Sequence, residues 1–139
     1  MDWITDRIAI GNHLDARDVD LLKQHGFRSA LSLDGTLSEG DAAKLGLSEV
    51  ACYPLVDGPG NDLRVLRFAV DDLRRMAESK GPTLVQCHAG RSRSAVVVAA
   101  YLMQTCGIDA RKAVARVAAR RDINITPALV VLLRKLETI

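Results

Sequence analysis

The sequence predicts an α/β protein in which a mostly parallel central sheet is flanked by helices and followed by a helical C-terminal part. Short apolar runs alternate with amphipathic stretches over the first two thirds of the 139 residues, and helical patterns alone fill the last third. No Pro/Gly/Ser-rich linker, internal repeat or low-complexity segment interrupts this order. We therefore expect residues 1–139 to form one domain.

In the first half of the chain, helix-capping residues and glycines separate the predicted elements. Asp15 is a candidate cap for a helix with Val19, Leu21 and Leu22 turned inward, and Gly26 marks its end. The predicted elements are strand 8–10, helix 15–25, strand 27–33, helix 38–45 and strand 49–53.

The second half opens with a loop, 54–60, that contains two prolines and two glycines. Asn61 then caps a helix with apolar residues at a period near 3.6, and Gly107 ends the long apolar helix that follows the next strand. Thr126 is a cap followed by proline at the first helical position. The predicted elements are helix 61–79, a central strand 83–86, helix 92–105, helix 109–120 and helix 126–137.

Composition limits the possible classes of function. The hydrophobic fraction of 48% and charged fraction of 26% are those of an ordinary soluble protein. A net charge of +2 does not favour nucleic acid or a membrane surface as a partner. No apolar run reaches the length of a membrane span, and the acidic N-terminus does not resemble a secretory signal. We expect a cytoplasmic protein that is monomeric.

The three cysteines, Cys52, Cys87 and Cys106, are too few and too scattered for a disulfide framework. None has histidines at zinc-site spacing, so no metal or cofactor is expected. Cys52 is either a buried strand residue or a thiol that forms a disulfide with Cys87 after oxidation.

Residues 87–94 carry the main functional signal and read Cys-His-Ala-Gly-Arg-Ser-Arg-Ser. They join a predicted strand to a predicted helix, and ligands in such sheets bind outside the carboxyl ends of the strands. Backbone N–H groups at a helix N-terminus favour an anion, and Gly90 permits the backbone geometry that lets them converge. A thiol at the rim of this phosphate cradle is drawn toward its reactive thiolate form.

Hydrolysis of a phosphate ester needs a nucleophile, a clamp on the phosphate oxygens and an acid for the leaving oxygen. Cys87 is the candidate nucleophile, and Arg93 the candidate bidentate clamp. Ser94 can donate a hydrogen bond to the sulfur. The alternative is a buried cysteine at the end of a core strand with a surface arginine nearby. The residues whose backbone would bind the phosphate are His88, Ala89, Gly90, Arg91, Ser92 and Arg93.

Segment 87–94 resembles the signature loop of the cysteine-dependent protein tyrosine phosphatase superfamily, in particular its small atypical dual-specificity members. The resemblance extends over roughly residues 4–136. It implies a phosphotyrosine phosphatase-like fold and metal-free hydrolysis through a phosphocysteine. The implied substrate is a phosphorylated protein or peptide carrying phosphotyrosine, with phosphoserine or phosphothreonine also accepted by a shallow pocket. It implies Cys87 as nucleophile, Arg93 as the phosphate-binding arginine and Ser94 as the assisting hydroxyl.

The same family places a general acid aspartate on a loop some thirty residues before the cysteine. Asp57 meets this spacing within loop 54–60, where a mobile carboxyl group can close over bound phosphate. Asp62 is the competing candidate, but acidic residues are common at helix starts for capping reasons. Two departures from the family stand out: Gln86 replaces the usual histidine, and Ala128 replaces an asparagine often found after Pro127.

Alternative functions remain open at this point. The substrate can be a phosphoinositide, an RNA 5′-phosphate or another non-protein ester, and sulfur transfer and arsenate reduction also use a cysteine anion loop. A non-catalytic phospho-binding module is the rival from another class. His88 and Arg91 are expected to point outward and add positive potential. His13 and the Arg120–Arg121 pair are expected to be solvated surface residues.

Overall fold

The computed structural model describes residues 1–138 and centres on a sheet of five strands. These are β1 (Asp2–Trp3), β2 (Ile8–Gly11), β3 (Ser29–Ser32), β4 (Glu49–Cys52) and β5 (Thr83–Gln86). Their order across the sheet is β1-β2-β5-β3-β4, with β1 antiparallel to β2 and the other pairs parallel. β5 is therefore the central strand, as the sequence predicts.

Within residues 1–138, six α-helices cover the two faces of this sheet. They are α1 (Val19–Gln24), α2 (Ala42–Leu45), α3 (Leu63–Ser79), α4 (Arg93–Cys106), α5 (Ala110–Ala118) and α6 (Pro127–Arg134). Short 3₁₀ turns occupy Asp15–Arg17, Glu39–Asp41 and Lys135–Thr138. In residues 1–138 no helix is long and apolar enough to cross a membrane. The α/β fold class with a helical C-terminal part is confirmed.

The strand register separates the core into two layers. Ile10, Val85, Leu31 and Ala51 are neighbours in register and pack with α3, α4, α5 and α6. The residue that precedes each of these four in its strand packs with α1 and α2 instead. This is because successive residues of a strand point to opposite faces of the sheet. α4 lies in the middle of the larger layer, which explains why its residues are apolar on nearly every side.

The first helix begins later than the sequence predicts. Asp18 caps α1 by accepting from the N–H of Leu21, whereas Asp15 accepts from the N–H of Asn12. Of the three residues expected to face inward, only Leu22 is fully buried, and Val19 is 43% exposed. Both aspartates suit a cap by type, and the contact with Asn12 decides between them.

Two other local features also differ from expectation. β1 is not among the predicted elements, because its two residues are too few to give a periodic signal. The cap of α3 is Asp62, which accepts from the N–H of Arg64 at 2.8 Å. Asn61, predicted as that cap, instead folds back onto the preceding loop.

Candidate active site

The chain segments that leave β3, β4 and β5 stay bonded to one another beyond the carboxyl ends of these strands. Leu33 N–H donates to the carbonyl of Gln86 at 2.8 Å, and Leu55 N–H donates to the carbonyl of Leu33 at 2.9 Å. The sheet thus continues for a short distance past its regular part. This extension places the acid loop, residues 54–60, beside the phosphate loop, residues 87–92.

The phosphate loop turns sharply between β5 and α4. Cys87 is 2% exposed and lies on the face of the sheet that packs against α3 and α4. Gly90 has a φ of +67°, a left-handed conformation that suits glycine. Ser92 is the cap residue of α4, and its carbonyl accepts from the N–H of Val96 at 3.0 Å. The loop therefore ends at the positive N-terminus of a long helix.

Arg121 holds this loop from outside. Its side chain is only 11% exposed, and its guanidinium donates to the carbonyl of Gly90 at 2.6 Å and of Ala89 at 3.3 Å. A third contact is an ion pair with Asp2 at 2.8 Å. The expectation that Arg121 is a solvated helix end is wrong. The contact joins residues 31 apart in sequence, which local patterns do not show.

His13 and Asn124 hold two more carbonyls of the loop. The N–H and Nδ1 of His13 lie 3.0 and 2.9 Å from the carbonyl oxygen of His88, and the two imidazole rings stack with centroids 4.2 Å apart. Asn124 N–H donates to the carbonyl of Arg91 at 2.9 Å. With these carbonyls held outward, the N–H groups of the loop are available to converge on an anion. His13 is partly buried rather than a solvated surface residue, and it supports the site.

Asp57 lies in hydrogen-bond contact with the phosphate loop. Its Oδ1 accepts from the hydroxyl of Ser92 at 2.7 Å, and that hydroxyl oxygen accepts from the N–H of Thr126 at 3.1 Å. Arg93 reaches the same loop, because its Nη1 donates to the carbonyl of Leu55 at 3.2 Å. The structure thus brings together the candidate acid, the candidate clamp and the loop that carries Cys87.

Asn61 braces the acid loop from within. Its side-chain oxygen accepts from the N–H of Val56 at 2.8 Å, and its amide nitrogen donates to the carbonyls of Val56 and Gly58 at 2.7 and 3.1 Å. These bonds close the loop on both sides of Asp57. Such side-chain closure of a turn is typical of asparagine, and Asn61 is therefore not the helix cap that its sequence position predicts.

Asp62, the competing candidate acid, is committed elsewhere. It caps α3 and forms an ion pair with Arg64 at 2.9 Å. The Arg64 guanidinium and N–H hold the pKa of the Asp62 carboxyl below its usual value. A carboxyl group held in its ionised form is a poor proton donor, so the geometry favours Asp57.

Four side-chain atoms in or beside the site are buried without a hydrogen-bond partner within residues 1–138: Nε of Arg93, Oγ of Ser94, Oε1 of Gln86 and Oγ1 of Thr126. Unpaired buried donors are costly and rare in folded proteins. A phosphate oxygen would satisfy Arg93. The Cys87 sulfur, the acceptor expected for Ser94, forms no hydrogen bond with it in this structure.

Gln86, in place of the family histidine, is fully buried on the face of the sheet opposite Cys87. Its amide donates to Asp34 at 2.7 Å. Although burial of Asp34 acts in the opposite direction, hydrogen bonds from Thr36, Gln86 and Ser32 hold the pKa of its carboxyl below the usual value. Gln86 therefore ties the end of β5 to the chain after β3.

Cys52 lies on the same face as Gln86, in register with Ser32, so it points away from Cys87. Its thiol donates to the carbonyl of Leu37, and burial together with the nearby carboxylates of Glu39 and Asp41 raises its pKa. The hypothesis of a disulfide partner for Cys87 is wrong, and Cys52 is a strand cysteine of the second core layer.

The rim of the site carries His88 and Arg91. His88 and Arg91 are exposed, as predicted, and Arg91 pairs with Asp122 at 3.2 Å. Over the part of the chain that the structure describes, no group of three or more His, Cys, Asp or Glu side chains is arranged to hold a metal ion.

The model of the dual specificity phosphatase catalytic domain matches residues 8–138. The chain belongs to this family. Dual specificity protein phosphatase PHS1 of Arabidopsis thaliana is 32% identical over 102 residues, which are 72% of this chain and 11% of that protein. Human dual specificity protein phosphatase 22 is 34% identical over 110 residues, which are 74% of this chain and 54% of that protein.

Solved structures give the same placement. The crystal structure of human DUSP28 superimposes with a TM-score of 0.87 at 25% identity and covers 99% of this chain and 96% of that one. The resemblance to small dual-specificity phosphatases that the sequence indicates is confirmed. The chain spans about half or less of the length of the curated relatives it matches.

We predict that Gly90→Ala damages the site more than Gly107→Ala does. Both glycines have φ near +65°, but a Cβ at Gly90 would lie 2.6 Å from the carbonyl oxygen of Gly11, whereas Gly107 has open space. Gly107→Ala should cost about 1 kcal/mol of stability, and Gly90→Ala about 1–3 kcal/mol more. Gly90→Ala alone should also weaken inhibition by inorganic phosphate. Urea unfolding and phosphate inhibition constants check this, and equal effects of the two variants would contradict it.

Proposed function

We propose that residues 1–139 form a single catalytic domain that hydrolyses phosphotyrosine, and also phosphoserine or phosphothreonine, in proteins through a phosphocysteine intermediate. The observation that carries the proposal is the contact between Asp57 and the phosphate loop, 2.7 Å from the Ser92 hydroxyl. This contact supports Asp57 as the proton donor beside the phosphate cradle that contains Cys87. The proposed setting is a monomer in the cytoplasm, without nucleic acid or membrane partners.

In the first step the N–H groups of residues 88–93 bind the phosphate oxygens and the Arg93 guanidinium forms a bidentate pair with two of them. The Cys87 thiolate attacks phosphorus opposite the leaving oxygen. The S–P bond forms while the P–O bond to the substrate breaks, and Asp57 gives its proton to the departing oxygen.

In the second step a water molecule attacks the phosphocysteine. Asp57, now a carboxylate, takes a proton from this water, and the P–S bond breaks to release inorganic phosphate. The sulfur leaves as a thiolate. Ser94, with its buried hydroxyl unpaired in residues 1–138, donates a hydrogen bond to that sulfur and stabilises the charge it acquires.

Replacement of the nucleophile tests the mechanism directly. Cys87→Ser should lower kcat for 4-nitrophenyl phosphate by on the order of a thousandfold or more. The reason is that a serine hydroxyl is a far weaker nucleophile than a cysteine thiolate. The matched control is Cys106→Ser at the exposed end of α4, which should retain full activity. A covalent phosphate on Cys87, seen by mass spectrometry after rapid acid quench, completes the test. A loss of only a few fold in Cys87→Ser would contradict the proposal.

The choice of acid is tested with two isosteric variants. Asp57→Asn should lower kcat by about 10²–10⁴-fold and remove the decline of rate on the alkaline side of the pH profile. Asp62→Asn should leave both the rate and that decline in place, since Asp62 caps α3 and pairs with Arg64. If Asp62→Asn flattens the profile instead, the acid is Asp62.

The substrate class is tested by comparing kcat/KM across a panel. A phosphotyrosine peptide should be preferred over a phosphoserine peptide of the same sequence by about tenfold or more, because a longer side chain reaches a buried thiol more easily. A phosphoinositide and a 5′-phosphorylated RNA should be poorer substrates than either peptide. Preference for one of these non-protein esters would assign the site to that substrate.

A further inference from the structure

Ser92 is the point where three segments of the chain meet. It belongs to the phosphate loop, it is 7% exposed, and it directly precedes Arg93. Its hydroxyl contacts Asp57 of the acid loop at 2.7 Å and Thr126, the cap residue of α6, at 3.1 Å. The phosphate-binding N–H groups do not require a hydroxyl at this position, so the side chain needs a separate explanation.

The direction of the bond from Thr126 is fixed by chemistry, and the direction of the bond to Asp57 follows when the carboxyl group is ionised. The N–H of Thr126 can only donate, so it occupies a lone pair of the Ser92 oxygen. The single hydroxyl proton of Ser92 is then directed to Oδ1 of Asp57. The backbone of Ser92 is held in addition by the bond from Val96 N–H. A serine hydroxyl usually rotates, but this one is held in one orientation.

Asp57 itself lies on an exposed loop. The backbone of that loop is held on either side, because Asn61 bonds to Val56 and Gly58 and the carbonyl of Leu55 accepts from Arg93. None of these bonds involves the carboxyl group of Asp57. The hydrogen bond to the Asp57 carboxyl comes from Ser92. The orientation of the carboxyl group therefore depends on a hydroxyl within the phosphate loop.

We propose that Ser92 is a positioning residue for the general acid and determines which carboxyl oxygen carries the proton. This inference rests on the function proposed above. In this role Oδ1 continues to accept the hydrogen bond from Ser92 when Asp57 is protonated, and the proton then lies on Oδ2. The first step transfers the proton from Oδ2 to the leaving oxygen, and the second step returns a proton from water to Oδ2. Ser92 keeps its own proton throughout.

Leaving-group dependence distinguishes this role from a purely structural one. Ser92→Ala should lower kcat for phenyl phosphate, a poor leaving group that needs the proton, by about 10- to 100-fold. For 2,4-dinitrophenyl phosphate, whose leaving group needs little protonation, the loss should be only about twofold. Inhibition by inorganic phosphate should be unchanged. Ser92→Thr keeps the hydroxyl and should restore most of the rate with phenyl phosphate.

A double-mutant cycle provides the decisive measurement. In the Asp57→Asn background Ser92→Ala should have less than about a twofold further effect, because Ser92 acts through Asp57. Ser79→Ala removes an exposed hydroxyl on α3, bonded to the carbonyl of Arg75, and should behave as wild type with every substrate.

A second variant guards against misfolding of Ser92→Ala. Thr126→Pro removes the N–H that bonds to the Ser92 oxygen and leaves the sequence of the phosphate loop intact, and the φ of −62° at residue 126 suits proline. It should produce a smaller loss in the same direction, again greater for phenyl phosphate.

Equal losses with both leaving groups, or independent effects in the double-mutant cycle, would overturn the role of Ser92 while Cys87 and Asp57 keep theirs. Failure of the proposed function is a different result, namely a wild-type protein that turns over neither aryl phosphate.

Discussion

The phosphate loop depends on donors that hold its carbonyl oxygens from outside. A peptide group points its N–H opposite to its C=O, so fixing the carbonyls outward directs the N–H groups inward. Arg121 binds two of these carbonyls, and His13 and Asn124 bind one each. Without these bonds a loop that contains a left-handed glycine would sample other conformations. An anion site that is formed before the substrate arrives has a smaller ordering cost on binding.

The connection between α5 and α6 links this support to catalysis. Arg121 and Asn124 lie on it, and Thr126 at its end holds the hydroxyl of Ser92. The helical C-terminal part of the chain therefore does more than cover α4. It supports the phosphate loop from behind and reaches the acid loop through Ser92. A change in this connection would alter the position of Ser92 and, through it, the orientation of the Asp57 carboxyl group.

Local sequence patterns predicted those candidate site residues that lie within one short segment or loop. Cys87, Gly90 and Arg93 lie in one short segment between a strand and a helix, and Asp57 lies in a loop marked by prolines and glycines. Arg121 and His13 gave no such signal, because their contacts with the loop span 31 and 75 residues. The α/β class followed from alternation, whereas the cap of α1 depended on which aspartate meets Asn12. Residue type gave the chemistry, and long-range contacts determined which side chains support it.

Gln86 shows how a departure from the family pattern fits the fold. Its amide is neutral at every pH, and its partner Asp34 has a lowered pKa, so the bond between them contributes fully above the ordinary pKa of an aspartate. This contribution is lost only when the pH falls through the lower pKa of Asp34 in the folded protein. A histidine at this position would titrate near neutral pH. The base of the phosphate loop therefore stays constant where the enzyme is proposed to work, and changes of rate with pH report on the groups that react.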